Sequence, residues 1–479
     1  MNEQAKKITW YSGLFVTKLL IPLITIPIFT SLLSVEEFGI FALVIIIGTV
    51  ITGISNFGLL GVFDREIFEN DETENKLFTV LLFVISFFSL LFLFFYFFEK
   101  KIILFFFNRK LNSQVVLSAI LFCGLKSFNQ FFFTYLKNHE NAKSYSLFSF
   151  LDSLFSAIMA YILIKIYGQG LLGYILGQAL PSIVIFVILY FKVFKLKIPR
   201  FLFGSLKKML LISLPLTPRF FFGVINTQFD RYMLGILGSV GGVGLFEIGQ
   251  KIGNIIFSFI TALQNYFSPK VYKMFFSKEK KINSSIGPFL TPFFYLSVLF
   301  SMPLIIFSKE ITIFFLPDGY EESWSVISIL GLLYVLYFFG KIPQLMYAKK
   351  TKIISIISII SITLNICLNI PFIQYFGVKG AAAATFISGI ITTFINFQLG
   401  QKYSPVVWGY RIFFYLTYLF LCFVLTIYLD FIELNCQVES LFKSSLIIIY
   451  LCLSLDCYKF SVKKNHFYFN FIEIINKKI

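Results

Sequence analysis

The chain has 479 residues, 58% of them hydrophobic, 20% aromatic and only 14% charged, with a formal net charge of +17. Apolar character this dense over the whole length excludes a water-soluble fold, and with it a nucleic-acid-binding reading of the basic excess. The charge is instead expected to follow membrane topology, with Lys and Arg held on the cytoplasmic side.

Apolar runs of about 20 residues recur from Trp10 to Phe460, each long enough to cross a hydrocarbon core about 30 Å thick. They predict an all-α integral membrane protein with about fourteen transmembrane helices. The first six lie near 10–33, 39–63, 77–98, 113–136, 144–166 and 171–194. After a basic linker come 209–236, 243–265, 289–307, 323–347, 353–376 and 379–399, and two more near 411–430 and 441–460 complete the set. The first run follows only Lys6 and Lys7 and shows no small-residue cleavage site, so it is read as a helix that stays and not as a removed signal peptide.

With the N-terminus in the cytoplasm, the inner segments collect the basic residues, among them Lys195, Lys197, Arg200, Lys207 and Lys208 in the linker and Lys349, Lys350 and Lys352 further on. The outer loops hold only Lys309, Lys379 and the four of one exceptional loop, 99–112, with Lys100, Lys101, Arg109 and Lys110. That asymmetry puts both termini inside. The six cysteines (Cys123, Cys367, Cys422, Cys436, Cys452 and Cys457) have no metal-ligand spacing and form no disulfide framework. Nothing in the sequence calls for a metal or cofactor.

An internal repeat is visible. Residues 34–41 read SVEEFGIF and residues 239–246 read SVGGVGLF, each between the first and second helix of a six-helix set. A weaker echo relates YGQG at 167–170 to FGVKG at 376–380. Both sets start from the same side, so the repeat is parallel, with substrate expected between the halves near the bilayer midplane. The division is an N-terminal six-helix lobe over 1–194, a cytoplasmic linker over 195–208 and a C-terminal lobe over 209–400. Residues 401–479 add two helices and a cytoplasmic tail.

A charge at bilayer depth costs about 2.5–3.5 kcal/mol on insertion scales, so each one within a span asks for a partner or a purpose. The basic residues at depth are Lys18, Lys126, Lys165, Arg219, Arg231, Lys251, Lys341 and Lys443, with Lys165 and Lys443 near enough to helix ends to snorkel. The acids at depth are Asp152, Asp230 and Glu247. In the eighth helix, Glu247, Gln250, Lys251, Asn254, Ser258, Thr261 and Asn265 recur at steps of three and four and so form one stripe. Glu247 and Lys251, one turn apart, can neutralise each other, and Asp152 is placed to pair with Lys126. Lys18, Arg219, Arg231 and Lys341 have no local acid. Asp230 and Arg231 lie toward the outer helix end, where a gate or an interface ion pair is the competing role. The amides and hydroxyls of other spans (Thr49, Thr52, Asn56, Asn129, Gln130, Thr134, Asn365 and Asn369) are read as interhelical hydrogen-bonding groups. An unpaired basic interior implies an anionic passenger, since Arg and Lys bind phosphate oxygens through charge-assisted bonds; Gln250 and Asn254 suit hydroxyl-rich groups.

Several stretches resemble the polysaccharide flippases that export lipid-linked O-antigen or capsule repeat units, within the superfamily shared with multidrug and toxin extrusion transporters. They are PIFTSLLSVEEFGIFALV (27–44), QFDRYMLGILGSVGGVGLFEIGQKI (228–252), ALQNYFSPKVYKMF (262–275) and FGVKGAAAATFIS (376–388). The resemblance implies two six-helix lobes forming a V that opens to one side at a time. It also implies an undecaprenyl-diphosphate-linked oligosaccharide as substrate, moved from the cytoplasmic to the periplasmic leaflet of a bacterial inner membrane. A polysaccharide polymerase and chain-length machinery are the implied partners. The family's cationic cavity maps onto Lys18, Arg219 and Lys251, with Lys126 and Lys341 in addition.

Two rivals remain. A cation-coupled drug exporter of the same superfamily needs intramembrane carboxylates as the dominant polar feature, for which Asp152, Asp230 and Glu247 are available. An enzyme such as a membrane polymerase needs extramembrane machinery, yet the longest loops are only about two dozen residues. His139 and His466 lie in predicted cytoplasmic segments without a Cys or Ser constellation, and there is no glycine-rich phosphate loop.

Overall fold

The computed structural model describes residues 20–67, 72–107, 111–195, 199–214, 217–276, 283–432 and 436–462; Lys18 and the side chain of Arg219 lie outside the described residues. Regular structure there is helical throughout. In chain order the helices are α1 (Leu20–Thr30), α2 (Val35–Asn56), α3 (Leu59–Glu66), α4 (Thr73–Phe107), α5 (Ser113–Asn138) and α6 (Ala142–Lys165). Then come α7 (Gly170–Phe194), α8 (Phe203–Ser213), α9 (Thr217–Leu237), α10 (Val240–Phe276), α11 (Asn283–Ile306) and α12 (Ser308–Phe315). The last are α13 (Ser323–Gly340), α14 (Gln344–Tyr347), α15 (Thr351–Tyr403), α16 (Tyr410–Ile432) and α17 (Cys436–Val462). Among the described residues, ten helices are long and apolar enough to cross a membrane.

Local chemistry sets the helix ends. Ser34 starts α2 through a capping box: its hydroxyl accepts from Glu37 N at 3.2 Å while Glu37 Oε2 accepts from Ser34 N at 2.9 Å. Asn112 and Asn141 cap α5 and α6 by accepting from Gln114 N and Ser144 N.

The single span expected over 39–63 is two helices. Phe57 and Gly58 both take the left-handed conformation (φ 46° and 72°), which ends α2 and restarts the chain as α3. The freed Phe57 carbonyl accepts from Thr217 Oγ1 at 3.2 Å. The span expected over 209–236 falls on the end of α8 and on α9, with residues 215 and 216 outside the described residues. The span 323–347 is divided between α13 and α14 at Pro343. Conversely, 353–376 and 379–399 run on as α15, with the bend at Gly377, whose φ of 55° and ψ of −127° are open only to glycine. Helix α4 overruns the expected 77–98. Its 35 residues, about 52 Å long at 1.5 Å each, carry the helix past Glu99, Lys100 and Lys101, so much of the basic outer loop is helical.

The chain divides into two compact units. One comprises Met1–Lys251, Phe315–Ser323 and Asn365–Thr385, the other Ile252–Phe314, Trp324–Leu364 and Phe386–Ile479. In the first unit α2 packs on α5 and α9, and α7 packs on α5 and α6. At the expected cytoplasmic end, Asn75 Oδ1 and Thr79 Oγ1 accept from Arg200 N and Leu202 N, tying the linker to the start of α4. Nearby, the buried Glu66 meets Lys208 at 3.5 Å, and its carbonyl accepts from the buried Lys76 at 2.7 Å. On α3, burial pushes the Asp64 carboxyl up, but hydrogen bonds from Lys137 and Asn138, both at 2.9 Å, together with the Lys137 charge, hold it below the usual carboxylate range.

In the second unit α11 packs on α16 and α17 around an aromatic core. Phe267, Phe294 and Phe338 are fully buried there, and Tyr450 stacks on Tyr295 with ring centres 5.2 Å apart. Large apolar side chains such as Phe94, Phe97 and Phe105 on α4 are exposed, the surface expected of a protein whose solvent is lipid.

Candidate functional site

The polar stripe of the eighth span lies on α10, and its partners come from other helices. Arg231 on α9 reaches Glu247 Oε2 through Nε at 2.6 Å, a contact of charges rather than an aligned hydrogen bond. Its two terminal nitrogens donate to Gln228 Oε1 and to Gln250 Oε1, the latter at 2.6 Å. Lys251 Nζ lies 3.3 Å from Glu247 Oε1, one turn along α10. Arg231 has no local acid, as expected, but it is not left unpaired: its partner sits 16 positions away on the next helix, beyond the reach of local pairing, in the ion-pair role that was its alternative. The pairing of Glu247 with Lys251 is present, and the two bases share the one carboxylate. Lys251 also lies 5.5 Å and 5.0 Å from the ring centres of Phe38 and Phe41 on α2, cation–π contacts that the sequence did not signal.

Asp230, next to Arg231, takes different partners. Its Oδ1 accepts from Asn369 Nδ2 at 2.8 Å, and Asn369 also donates to Asn365 Oδ1 at 3.0 Å. Asn365 in turn contacts Thr385 Oγ1 at 3.3 Å, closing a buried carboxylate–amide–hydroxyl chain on α15. This is the interhelical role expected of Asn365 and Asn369, with an acid at its centre.

A second cluster joins α5, α6 and α7. Lys126 Nζ bonds Asp152 Oδ2 at 2.7 Å, as the sequence suggested, and Ser182 Oγ donates to Asp152 Oδ1 at 2.9 Å. Asn129 Nδ2 donates to the Ser182 carbonyl at 2.9 Å. Asn129 thus joins helices as expected; Thr52 bonds back to Gly48 of its own helix, while Thr49 bonds back to Ile45 and also meets Cys123 of α5.

Lys341 stands at the break between α13 and α14, in the second unit. The carbonyls freed there are taken by amide side chains: Asn396 Nδ2 donates to Gly340 O and Gln264 Nε2 to Lys341 O, both at 3.3 Å. The Lys341 ammonium lies 4.1 Å over the Phe257 ring and donates to Thr261 Oγ1, a member of the α10 stripe. Its position beyond the last turn of α13 also sets it at the negative end of that helix dipole. Among the described residues no carboxylate pairs with it. Gln264 follows Thr261 by three residues and was readable from the stripe; Asn396 carried no sequence signal. Asn254, also on the stripe, is half-buried.

Lys443 corrects another expectation. It does not snorkel: only 1% of its side chain is exposed, and Nζ lies 2.6 Å from Glu310 Oε1 and 2.7 Å from Glu439 Oε1. Lys165, by contrast, is exposed at the end of α6.

Broken helices with charged and amide groups gathered at membrane depth define a polytopic carrier-like membrane protein. The chain belongs to the polysaccharide biosynthesis protein family, whose model matches residues 4–265. A probable low-salt glycan biosynthesis flippase of Haloferax volcanii is 25% identical over 193 residues, 39% of this chain and 40% of that protein; the match thus spans less than half of the relative's length. The fold is that of the solved lipid II flippase MurJ in an inward closed conformation, with a TM-score of 0.72 at 17% identity, covering 94% of this chain and 99% of that one. An inward-facing multidrug resistance MATE family transporter of the MOP superfamily superposes with a TM-score of 0.60 at 15% identity, covering 84% of this chain and 98% of the other.

Proposed function

We propose that this protein is a flippase carrying an undecaprenyl-diphosphate-linked oligosaccharide, of the O-antigen or capsule repeat-unit class, from the cytoplasmic to the outer leaflet of a bacterial inner membrane. It does so without enzymatic chemistry, as a fourteen-span protein of two six-helix lobes (1–194 and 209–400) and two further helices, with both termini inside. A polysaccharide polymerase and chain-length machinery consume what it delivers. The family membership and the name of the haloarchaeal relative support the substrate class.

The observation that carries the reading is the cation balance along the polar face of α10. In the first unit Arg231 and Lys251 share a single carboxylate; in the second, Lys341, bonded to Thr261, has no acid among the described residues. A positive charge left uncompensated at membrane depth is costly, and a passing diphosphate relieves that cost. In this reading Lys251 and Arg231 of the first unit bind phosphate oxygens, with Lys18 and Arg219 adding charge; Lys341 of the second unit is a further substrate-binding cation, and Gln250 and Asn254 meet sugar hydroxyls. Lys126 is held by Asp152 and serves as a reserve cation. The lipid tail stays in the bilayer. Alternation between inward and outward states is biased by substrate only through its different affinity for each.

The test is the leaflet distribution of the lipid-linked oligosaccharide in cells that make the cognate glycan. Loss of the gene is expected to trap the lipid in the inner leaflet, with wild type restoring outward delivery and Lys341→Met failing to restore it at a normal protein level. Normal outward delivery without the gene, in a strain lacking a redundant flippase, overturns the flippase reading.

One observation favours a second reading, a cation-coupled exporter. The buried Asp230 carboxylate accepts from an amide and, among the described residues, forms no ion pair, unlike Asp152 and Glu247.

A further inference from the structure

Helix α4 is longer than a membrane is thick. Embedding all of residues 77–107, about 46 Å of helix, in a core about 30 Å thick needs a tilt of about 50°. Spanning helices tilt by roughly 0–40°, so one end of α4 leaves the hydrocarbon. The other end is fixed at the expected cytoplasmic side, where the buried Lys76 donates to Glu66 O. From Lys76 to Lys100 the helix rises about 36 Å, which sets Lys100 and Lys101 at the phosphate level of the opposite leaflet. The turns carrying Leu104 and Phe105 pass beyond it.

This outer part of α4 has two faces. Phe95, Ile103 and Phe107 are buried, and Phe107 meets Tyr232 of α9 edge-on with ring centres 5.9 Å apart. Glu99, the acid next to the two lysines, is turned to the start of α5, where its Oε1 accepts from Ser113 Oγ at 2.6 Å. On the other face Phe97, Lys101 and Phe105 follow one another at one-turn spacing, the two rings 75% and 84% exposed. Beside them run Tyr96, Lys100 and Leu104, all exposed as well. Each lysine therefore has an aromatic ring one turn below it and an apolar side chain one turn above. Among the described residues neither lysine pairs with a carboxylate. Both also stand on the side from which the positive-inside bias removes basic residues.

We propose that this face of α4 is an exit site for the delivered passenger. The polyprenyl tail lies along Phe94 and Phe97, the diphosphate meets Lys100 and Lys101, and the first sugars pack over Leu104 and Phe105. Two adjacent ammonium groups supply the charge-assisted bonds that a diphosphate takes. The apolar turns beyond them decide which anionic lipid fits. A phospholipid has little above its phosphate and leaves Leu104 and Phe105 bare to water, whereas a glycan continues past the phosphate plane and covers them. The electron-rich face of the Phe105 ring suits the C–H face of a sugar. The site rests on the flippase reading and the topology above, and lies apart from the ionic cluster of Arg231, Glu247 and Lys251.

Photocapture on the full chain tests it. The variant Phe97→benzoylphenylalanine is placed in phosphatidylcholine nanodiscs with one of three probes: a polyprenyl-diphosphate-linked oligosaccharide, the sugar-free polyprenyl diphosphate, or phosphatidylglycerol. The oligosaccharide lipid is expected to be captured at least fivefold more than phosphatidylglycerol and severalfold more than the sugar-free lipid. Adding Lys100→Gln and Lys101→Gln is expected to lower its capture at least fivefold, with thermal unfolding unchanged because both side chains are exposed. Equal capture of phosphatidylglycerol, or capture indifferent to the two lysines, overturns the exit site. Capture of a membrane protein in place of lipid, when the same variant is irradiated in cells, also overturns it and makes the face a protein interface. Lipid accumulation in the inner leaflet on loss of the gene, without capture at Phe97, overturns the exit site alone. Capture with normal delivery in the deletion strain overturns the flippase reading alone.

Discussion

Lys341 and Lys443 belong to the same compact unit and are the same residue type, both predicted inside membrane spans, yet their surroundings are opposite. Lys443 is sealed between Glu310 and Glu439, two carboxylates brought from different helices to one ammonium. Lys341 is half-buried beside the Phe257 ring and the Thr261 hydroxyl, at a helix break whose carbonyls are satisfied by Gln264 and Asn396. Desolvation penalises both charges. For Lys443 the ion pairs offset the penalty permanently, so the charge holds α17 to α12. For Lys341 the partners among the described residues are polar and aromatic, which in the proposed reading leaves the charge to an anion. Membrane depth alone therefore does not separate a structural charge from a functional one; the identity of the partners does.

That contrast can be broken by mutation. The largest effect is expected at Lys443. Replacing it with Met leaves the buried Glu439 carboxylate facing that of the partly exposed Glu310 and is expected to cost up to about 3–5 kcal/mol of stability, measured by thermal or denaturant unfolding in detergent. Adding Glu310→Leu and Glu439→Leu to that variant is expected to recover most of the loss. A stable Lys443→Met single variant refutes the structural assignment. Lys341→Met is expected to do the reverse. Its unfolding should match wild type, while outward delivery falls about tenfold or more, the consequence of losing a charge-assisted bond worth about 1.5–3 kcal/mol. Destabilisation without a transport defect would make Lys341 a second Lys443.

The smallest effect sharpens the comparison at an exposed site. Asp64 is held below the usual carboxylate range by Lys137 and Asn138, so it adds stability at neutral pH. That contribution is complete above the ordinary carboxylate pKa and disappears as pH falls through the lowered value. Between about pH 5 and pH 3, wild type is therefore expected to lose slightly more stability than Asp64→Asn, which has no such contribution to lose. Parallel acid limbs in the two unfolding profiles would remove the anchor. The pair is half-exposed and screened by solvent, so its effect stays well below that at Lys443.

The two lessons of the ionic clusters differ in how far the sequence anticipated them. The Lys126–Asp152 and Glu247–Lys251 pairs were legible, the first from two adjacent polar spans and the second from a one-turn spacing. The Arg231–Glu247 and Lys443–Glu310 contacts were not. They join residues 16 and 133 positions apart, and ion pairing requires an approach within about 4 Å that only the packed helices provide.

The helix breaks divide in the same way. Pro343 and Gly377 announce theirs, because a missing N–H and a missing Cβ are properties of single residues. The left-handed Phe57 does not, since the hydroxyl that satisfies its carbonyl comes from Thr217, far along the chain. By itself the sequence determined an all-helical membrane protein, the polar stripe of α10 and an internal repeat, because hydrophobic length and periodicity are local quantities. Only the tertiary structure decided which charges are spent on one another, that Lys341 has no carboxylate among the described residues, and that the two repeat motifs meet glycine to backbone. Those outcomes depend on distances between helices, and no single helix encodes them.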